Sequence, residues 1–158
     1  MTQVRVGQGF DVHRFSDDRD RRLVLGGVVF ENERGLEGHS DADVIAHAVT
    51  DALLGAAGLG DIGERFPETD PRWKDADSLV MLRDAANLVR GAGWDVGNVD
   101  CSVVCETPKL ADRKIDIERK LSEAVGADVS VKGRRAEGLG AIGRREGIAC
   151  WSVVVITR

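Results

Sequence analysis

Cysteine is scarce in this 158-residue chain, and its three copies, Cys101, Cys105 and Cys150, have neither metal-binding nor redox spacing. An odd count without such spacing predicts buried, reduced thiols rather than a disulfide framework. No run of 18 or more apolar residues occurs, which excludes a membrane-spanning helix. The opening stretch MTQVRVGQGFDVHRF lacks the apolar core of a signal peptide and passes straight into strand-like alternation. A cytoplasmic location is the expectation. Basic charge is not in excess either: a net charge of −5 and a pI near 5.2 argue against a nucleic-acid surface. Repeats, low-complexity linkers, a P-loop and a dinucleotide fingerprint are absent too.

What is present is the make-up of one globular domain over residues 1–158, with 42% hydrophobic and 31% charged residues. Residues 3–13 alternate like a strand, and RRLVLGGVVF reads as another, broken at Gly26-Gly27. From Asp41 to about Ala57 the chain is apolar on most sides of a helix, which predicts deep burial, with Ser40 as its N-cap. LGDIGERFPETDPRW has no periodicity and reads as a loop. Helices over 77–91 and 111–126 and strands at NVDCSVVC, DVSVKG and GIACWSVVVIT complete the order. The expected fold is α+β, a two-layer arrangement of a mixed β-sheet packed on helices.

Histidine is also rare, and all three copies lie close to aspartates: His13, His39 and His47. Asp11 and His13 are two apart on a strand and so emerge from one face. Asp43 and His47 are four apart on a helix and share a face. One strand and one helix can thus gather Asp11, His13 and His47, and two imidazoles with a carboxylate form a catalytic zinc set with a fourth position open. Manganese or iron also suits these donors. The bland readings are a chance Asp-x-His on a strand, a helix-start aspartate, a capping Ser40 and a surface His39.

Two further segments carry chemistry. KGRRAEGLGAIGRREG offers backbone N–H groups and guanidinium forks suited to a diphosphate, and Glu137 there can hold magnesium. A surface turn with solvated arginines is the alternative. Asp61, Glu68 and Asp70 flank Phe66-Pro67 and suit either polyol hydroxyls or plain solvation.

GFDVHRF, LGG, GHSDADVIAHAVTDALLGAAGLGDIGERFPETDPRW, GNVD, PKL and GRREGIA together resemble the 2-C-methyl-D-erythritol 2,4-cyclodiphosphate synthases of the non-mevalonate isoprenoid pathway. The resemblance runs almost end to end, and HSDADVIAHAVTDA is its specific core. It implies a lyase that converts 4-diphosphocytidyl-2-C-methyl-D-erythritol 2-phosphate to the cyclic diphosphate and CMP, working as a homotrimer with active sites between subunits. Asp11, His13 and His47 would hold zinc or another divalent transition metal. Val12 would border the substrate with them, and His39 and Ser40 would touch the erythritol phosphate portion. Asp61, Ile62 and Gly63 would meet the ribose, and Phe66, Pro67, Glu68, Thr69 and Asp70 would close over the methylerythritol. Cys105, Pro108, Lys109, Leu110 and Ala111 would form the cytosine pocket. Glu137 would hold magnesium or manganese against the diphosphate, with Arg144 nearby.

The chain departs from this family at Arg134, Arg135 and Ala136, where a threonine-rich segment is usual. Arg135 stands at the family's helper threonine, and with His39 it is the candidate catalytic residue. Competing readings are a non-catalytic binder of cytidine nucleotides and a zinc phosphohydrolase.

Overall fold

In the first strand, odd-numbered residues turn toward the helices and even-numbered ones away, and this alternation orients the site. The computed structural model describes residues 1–158. Strand β1 (Val4–Arg14) pairs antiparallel with β6 (Gly147–Thr157), which pairs antiparallel with β4 (Asp95–Val104). Parallel to β4 runs β5 (Asp128–Arg134), giving a mixed sheet in the order β1-β6-β4-β5. The interrupted strand is a hairpin, β2 (Leu23–Leu25) with β3 (Val28–Phe30). Its two turn residues, Gly26 and Gly27, both have positive φ (57° and 72°), the conformation glycine adopts without strain.

Three helices cover one face of the sheet: α1 (Val44–Ala57), α3 (Ser78–Gly91) and α4 (Lys114–Val125). Helix α1 lies on β1 and β6, α4 on β5, and α3 packs on α1 and α4. The expected two-layer α+β architecture is therefore present. Fully buried side chains such as Ile45, Leu53, Leu82, Leu121, Ile148 and Ile156 fill the interface. Each contributes about 1.5–3 kcal/mol by leaving water. Cys101, Cys105 and Cys150 are free and buried, as their spacing predicts. No helix is long and apolar enough to cross a membrane.

Helix α1 can approach β1 so closely because Gly7 and Gly9 have no side chains. A Cβ at Gly9 would stand 1.9 Å from the Ala48 carbonyl oxygen, and one at Gly7 would stand 2.1 Å from that of Ala52. The other face of the sheet has no cover within the chain. Val6, Phe10, Val12, Trp151 and Val153 are each 43–65% exposed there, with the Phe10 and Trp151 rings 4.8 Å apart.

Two local expectations need correction. Helix α1 begins at Val44, and its N-cap is Asp43 rather than Ser40. Ala42 has a positive φ of 58°, so the chain turns once more before the helix. Asp43, fully buried, accepts from Ile45 and Ala46 N–H at 3.1 and 3.2 Å and from Gly26 and Gly27 N–H at 2.8 and 2.6 Å. One carboxyl thus caps the helix and fastens the hairpin turn to it. Burial, together with the neighbouring Asp41, pushes this carboxyl up to about 6. The second correction is in LGDIGERFPETDPRW, which contains a short helix, α2 (Ile62–Arg65), and a 3-10 turn at Pro71–Trp73. A final short helix, α5 (Gly140–Gly143), lies in the glycine- and arginine-rich loop.

Candidate active site

Strand alternation brings Asp11 and His13 out under the N-terminal half of α1, and the glycine contact sets His47 directly above them. Asp11 Oδ2 lies 3.0 Å from His13 Nε2 and 3.1 Å from His47 Nδ1, and the two nitrogens are 3.2 Å apart. The Glu37 carbonyl lies 2.7 Å from His13 Nδ1. Donation to that carbonyl leaves the Nε2 lone pair facing the cluster. A carboxylate oxygen and two imidazole nitrogens thus converge, which fits a borderline divalent cation such as zinc. Val12, between Asp11 and His13, turns its side chain to the opposite face of the sheet.

Electrostatics agree with that fit. Burial would raise the Asp11 carboxyl, but hydrogen bonds and charge from His13 and His47 hold it far below the usual carboxylate range. Burial would lower His13, yet Asp11 and the Glu37 carbonyl raise it above an ordinary imidazole. The pocket favours positive charge.

Beside the cluster runs the segment that carries His39 and Ser40. Arg21 ties it down by donating to the carbonyls of Leu36, Gly38 and Ser40. Ser40 Oγ is 3.0 Å and Ser78 Oγ 2.9 Å from His47 Nε2. A cleft of about 170 Å³ joins Asp11, His13, His39, Ser40 and His47 to Ile62, Gly63, Phe66 and Glu68. Trp73 and Met81 also line it.

Other sequence-selected residues in this region are engaged in structure. Asp61 caps α2, accepting from Glu64 N–H at 2.8 Å, while Asp51 of α1 accepts from Ile62 N–H at 3.1 Å. Phe66 is buried and meets Trp73 edge-on, 5.0 Å between ring centres. Asp70 caps the 3-10 turn and pairs with Arg72 at 2.6 Å, which lowers its carboxyl. Pro67 and Thr69 lie on the connecting loop and Asp61 on its approach, outside the cleft's lining.

A second cleft, about 400 Å³, opens where β4 leads into α4. Cys105, Glu106, Pro108, Lys109, Leu110 and Ala111 line one side, and Lys132, Arg134 and Arg135 the other. Burial, with Glu106 and Glu33 nearby, pushes the Cys105 thiol up to about 11, which disfavours its thiolate. Glu106 accepts from the Ala136 N–H at 2.9 Å and so holds the arginine loop to this cleft. Ala136, Glu137 and Arg144 lie beyond the lining of both clefts. Glu137 is exposed, with a positive φ of 54°, and Arg144 pairs with Glu146 at 2.7 Å. Of the four clustered arginines, two face the cleft. The two clefts share no residue.

No local pattern singles out Arg21, Glu106 or Ser78 as site residues. Their partners lie 15 to 31 residues away or more, beyond what periodicity or motif spacing reports.

The sequence profile of the YgbB family matches residues 4–157. A 2-C-methyl-D-erythritol 2,4-cyclodiphosphate synthase from Rubrobacter xylanophilus is 54% identical over 162 residues, covering 100% of this chain and 98% of that protein. Among solved structures, the bifunctional IspDF from Campylobacter jejuni superposes with a TM-score of 0.93 at 42% identity, over 99% of this chain and 43% of that one. The CDP complex of IspF from Plasmodium falciparum gives 0.83 at 36% identity, over 97% and 95% of the two chains. A profile matched over nearly every residue, with the same fold and an Asp-His-His cluster at its cleft, settles the family: the chain belongs to the YgbB family.

Proposed function

We propose that this chain is a cyclodiphosphate synthase, a lyase of isoprenoid precursor biosynthesis that converts 4-diphosphocytidyl-2-C-methyl-D-erythritol 2-phosphate to 2-C-methyl-D-erythritol 2,4-cyclodiphosphate and CMP. The observation that carries the reading is the convergence of Asp11 Oδ2, His13 Nε2 and His47 Nδ1 at a cleft also lined by His39 and Ser40. Curated relatives of about half-identical sequence bear the synthase name, and a solved relative binds CDP.

A 2-phosphate oxygen of the substrate attacks its own β-phosphorus; the new P–O bond closes the ring as the bond to the CMP oxygen breaks. No protein nucleophile is required. Holding the attacking 2-phosphate oxygen, the β-phosphorus and the departing CMP oxygen in line can itself supply up to about 7–11 kcal/mol. His39 and Ser40 orient the erythritol phosphate portion. Asp61, Ile62 and Gly63 meet the ribose, and the 66–70 loop closes over the methylerythritol. The cleft from Cys105 to Ala111 takes the cytosine. Arg135, with Arg134, neutralises the diphosphate as charge moves toward CMP. Asp11, His13 and His47 would hold the zinc, which when bound would supply a Lewis acid, and Glu137 would hold the magnesium or manganese that would supply counter-charge.

The chain acts as a cytoplasmic homotrimer whose active sites lie between neighbours. Two features support the trimer: the clefts that would hold the two ends of one substrate are separate within a chain, and the outer face of β1 and β6 is apolar and uncovered. Release of CMP from the substrate, dependent on added zinc and abolished by a chelator, tests the reading. The arginines at 134 and 135 favour one other reading, a binder without turnover; tight CDP binding with no CMP release would select it.

A further inference from the structure

We infer that Asp41, Ser78 and His47 form a hydrogen-bond relay that fixes which nitrogen of His47 faces the metal, and that Ser78 is therefore a positioning residue for metal binding. The inference rests on reading Asp11, His13 and His47 as a metal set. Ser78 is fully buried at the start of α3, and its hydroxyl donates to the Asp41 carboxylate. The same Asp41 side chain accepts the Ser78 backbone N–H at 3.2 Å and the Asp43 N–H at 3.2 Å. A carboxylate accepts and has no proton to give, so the proton in the Ser78–Asp41 bond belongs to Ser78.

A hydroxyl has one proton. With it given to Asp41, Ser78 shows only lone pairs to His47 Nε2, 2.9 Å away. Nε2 must carry the imidazole proton, since two lone pairs at that distance repel. In the neutral ring Nδ1 is then the unprotonated nitrogen, and it is Nδ1 that stands 3.1 Å from Asp11 Oδ2, where a bound cation would take the place of the proton that otherwise bridges the two. Ser40 Oγ, 3.0 Å from Nε2, can rotate to accept or donate and so decides nothing by itself. It is free to donate to Ser78 Oγ, 3.2 Å away, or to a ligand in the cleft. The relay matches on His47 what the Glu37 carbonyl does on His13: the off-site nitrogen is held as a donor, and the lone pair is aimed inward. The cap of α3 is separate, because Asp77 accepts the Leu79 N–H at 2.8 Å. Removing the Ser78 hydroxyl leaves that cap in place.

Zinc dissociation constants, measured by competition with a chromophoric chelator, test the relay without any assay of turnover. Ser78→Ala is expected to weaken zinc by ~10–100-fold. The unfolding midpoint of the zinc-free variant should stay close to that of the unmodified chain. Asp41→Asn, which leaves one acceptor fewer for the three donors gathered there, should weaken zinc comparably when Ser78 is present. In the Ser78→Ala background it should matter by less than about 2-fold, because coupled residues are not additive. Unmodified affinity in either single variant, or equal effects of Asp41→Asn in both backgrounds, would overturn the relay. If the unmodified chain binds no zinc, the metal set itself fails, and that outcome is distinct from tight zinc binding that ignores Ser78.

Discussion

Gly9 lies directly against Ala48: a Cβ on the glycine would come within 1.9 Å of the alanine's carbonyl oxygen. The contact joins the strand that carries Asp11 and His13 to the helix that carries His47, one residue from Ala48. Gly9→Ala forces α1 away from β1. Overpacking of this kind costs about 1–3 kcal/mol. Denaturant unfolding should show that loss, and zinc affinity should fall with it; an alanine variant with unchanged stability would mean that α1 can shift freely.

His47→Ala removes one of three donors. Zinc stoichiometry should drop to near zero, and CMP release should fall by more than the ~10–100-fold typical of changes behind the ligands. Retained zinc would take His47 out of the ligand set.

Asp43 gives a pH signature. Burial and Asp41 push its carboxyl up to about 6, above its ordinary value of 3.8, so the folded state binds the proton more tightly. Its contribution is fully present below about pH 4 and is lost as pH rises through about 6. The depressed Asp11 acts at lower pH, and the raised His13 acts above it, outside this window. Unfolding of the zinc-free chain should weaken by about 1–3 kcal/mol between those pH values, and Asp43→Asn should flatten the slope. A slope shared by the asparagine variant would assign it to other groups.

Arg135→Thr exchanges the guanidinium at the second cleft for a short hydroxyl. Hydrogen bonds to charged groups are worth about 1.5–3 kcal/mol, so kcat/KM should fall by at least about 10-fold if the arginine has taken over the diphosphate. A faster threonine variant would mark Arg135 as a handicap.

Trp151→Glu places a charge on the apolar outer sheet face beside Phe10. If this face holds the proposed trimer together, sedimentation should show the unmodified chain as a trimer and the variant as a monomer, with turnover lost while the single-chain fold survives. An unaltered mass would remove this face from the assembly.

The metal cluster was legible because both of its elements follow simple periods. A spacing of two on β1 and a buried helix with His47 near its start were enough to suggest it. Where the helix began was less legible, since Ser40 and Asp43 are both good caps and only the turn at Ala42 decides between them. A four-residue helix such as α2 is too short to show a period. Ser78 was hidden for another reason: its partners, Asp41 and His47, lie 37 and 31 residues away, and only packing of α3 on α1 brings them together. Likewise, four neighbouring arginines looked like one anion site, but Arg144 is turned to Glu146.

The most direct measurement follows phosphorus NMR of the substrate incubated with the purified chain, zinc and magnesium. The reading predicts that the 2-phosphate resonance disappears as a cyclic diphosphate and CMP grow in equal amounts. Release of inorganic phosphate, or no cyclic product under any metal condition, would contradict it.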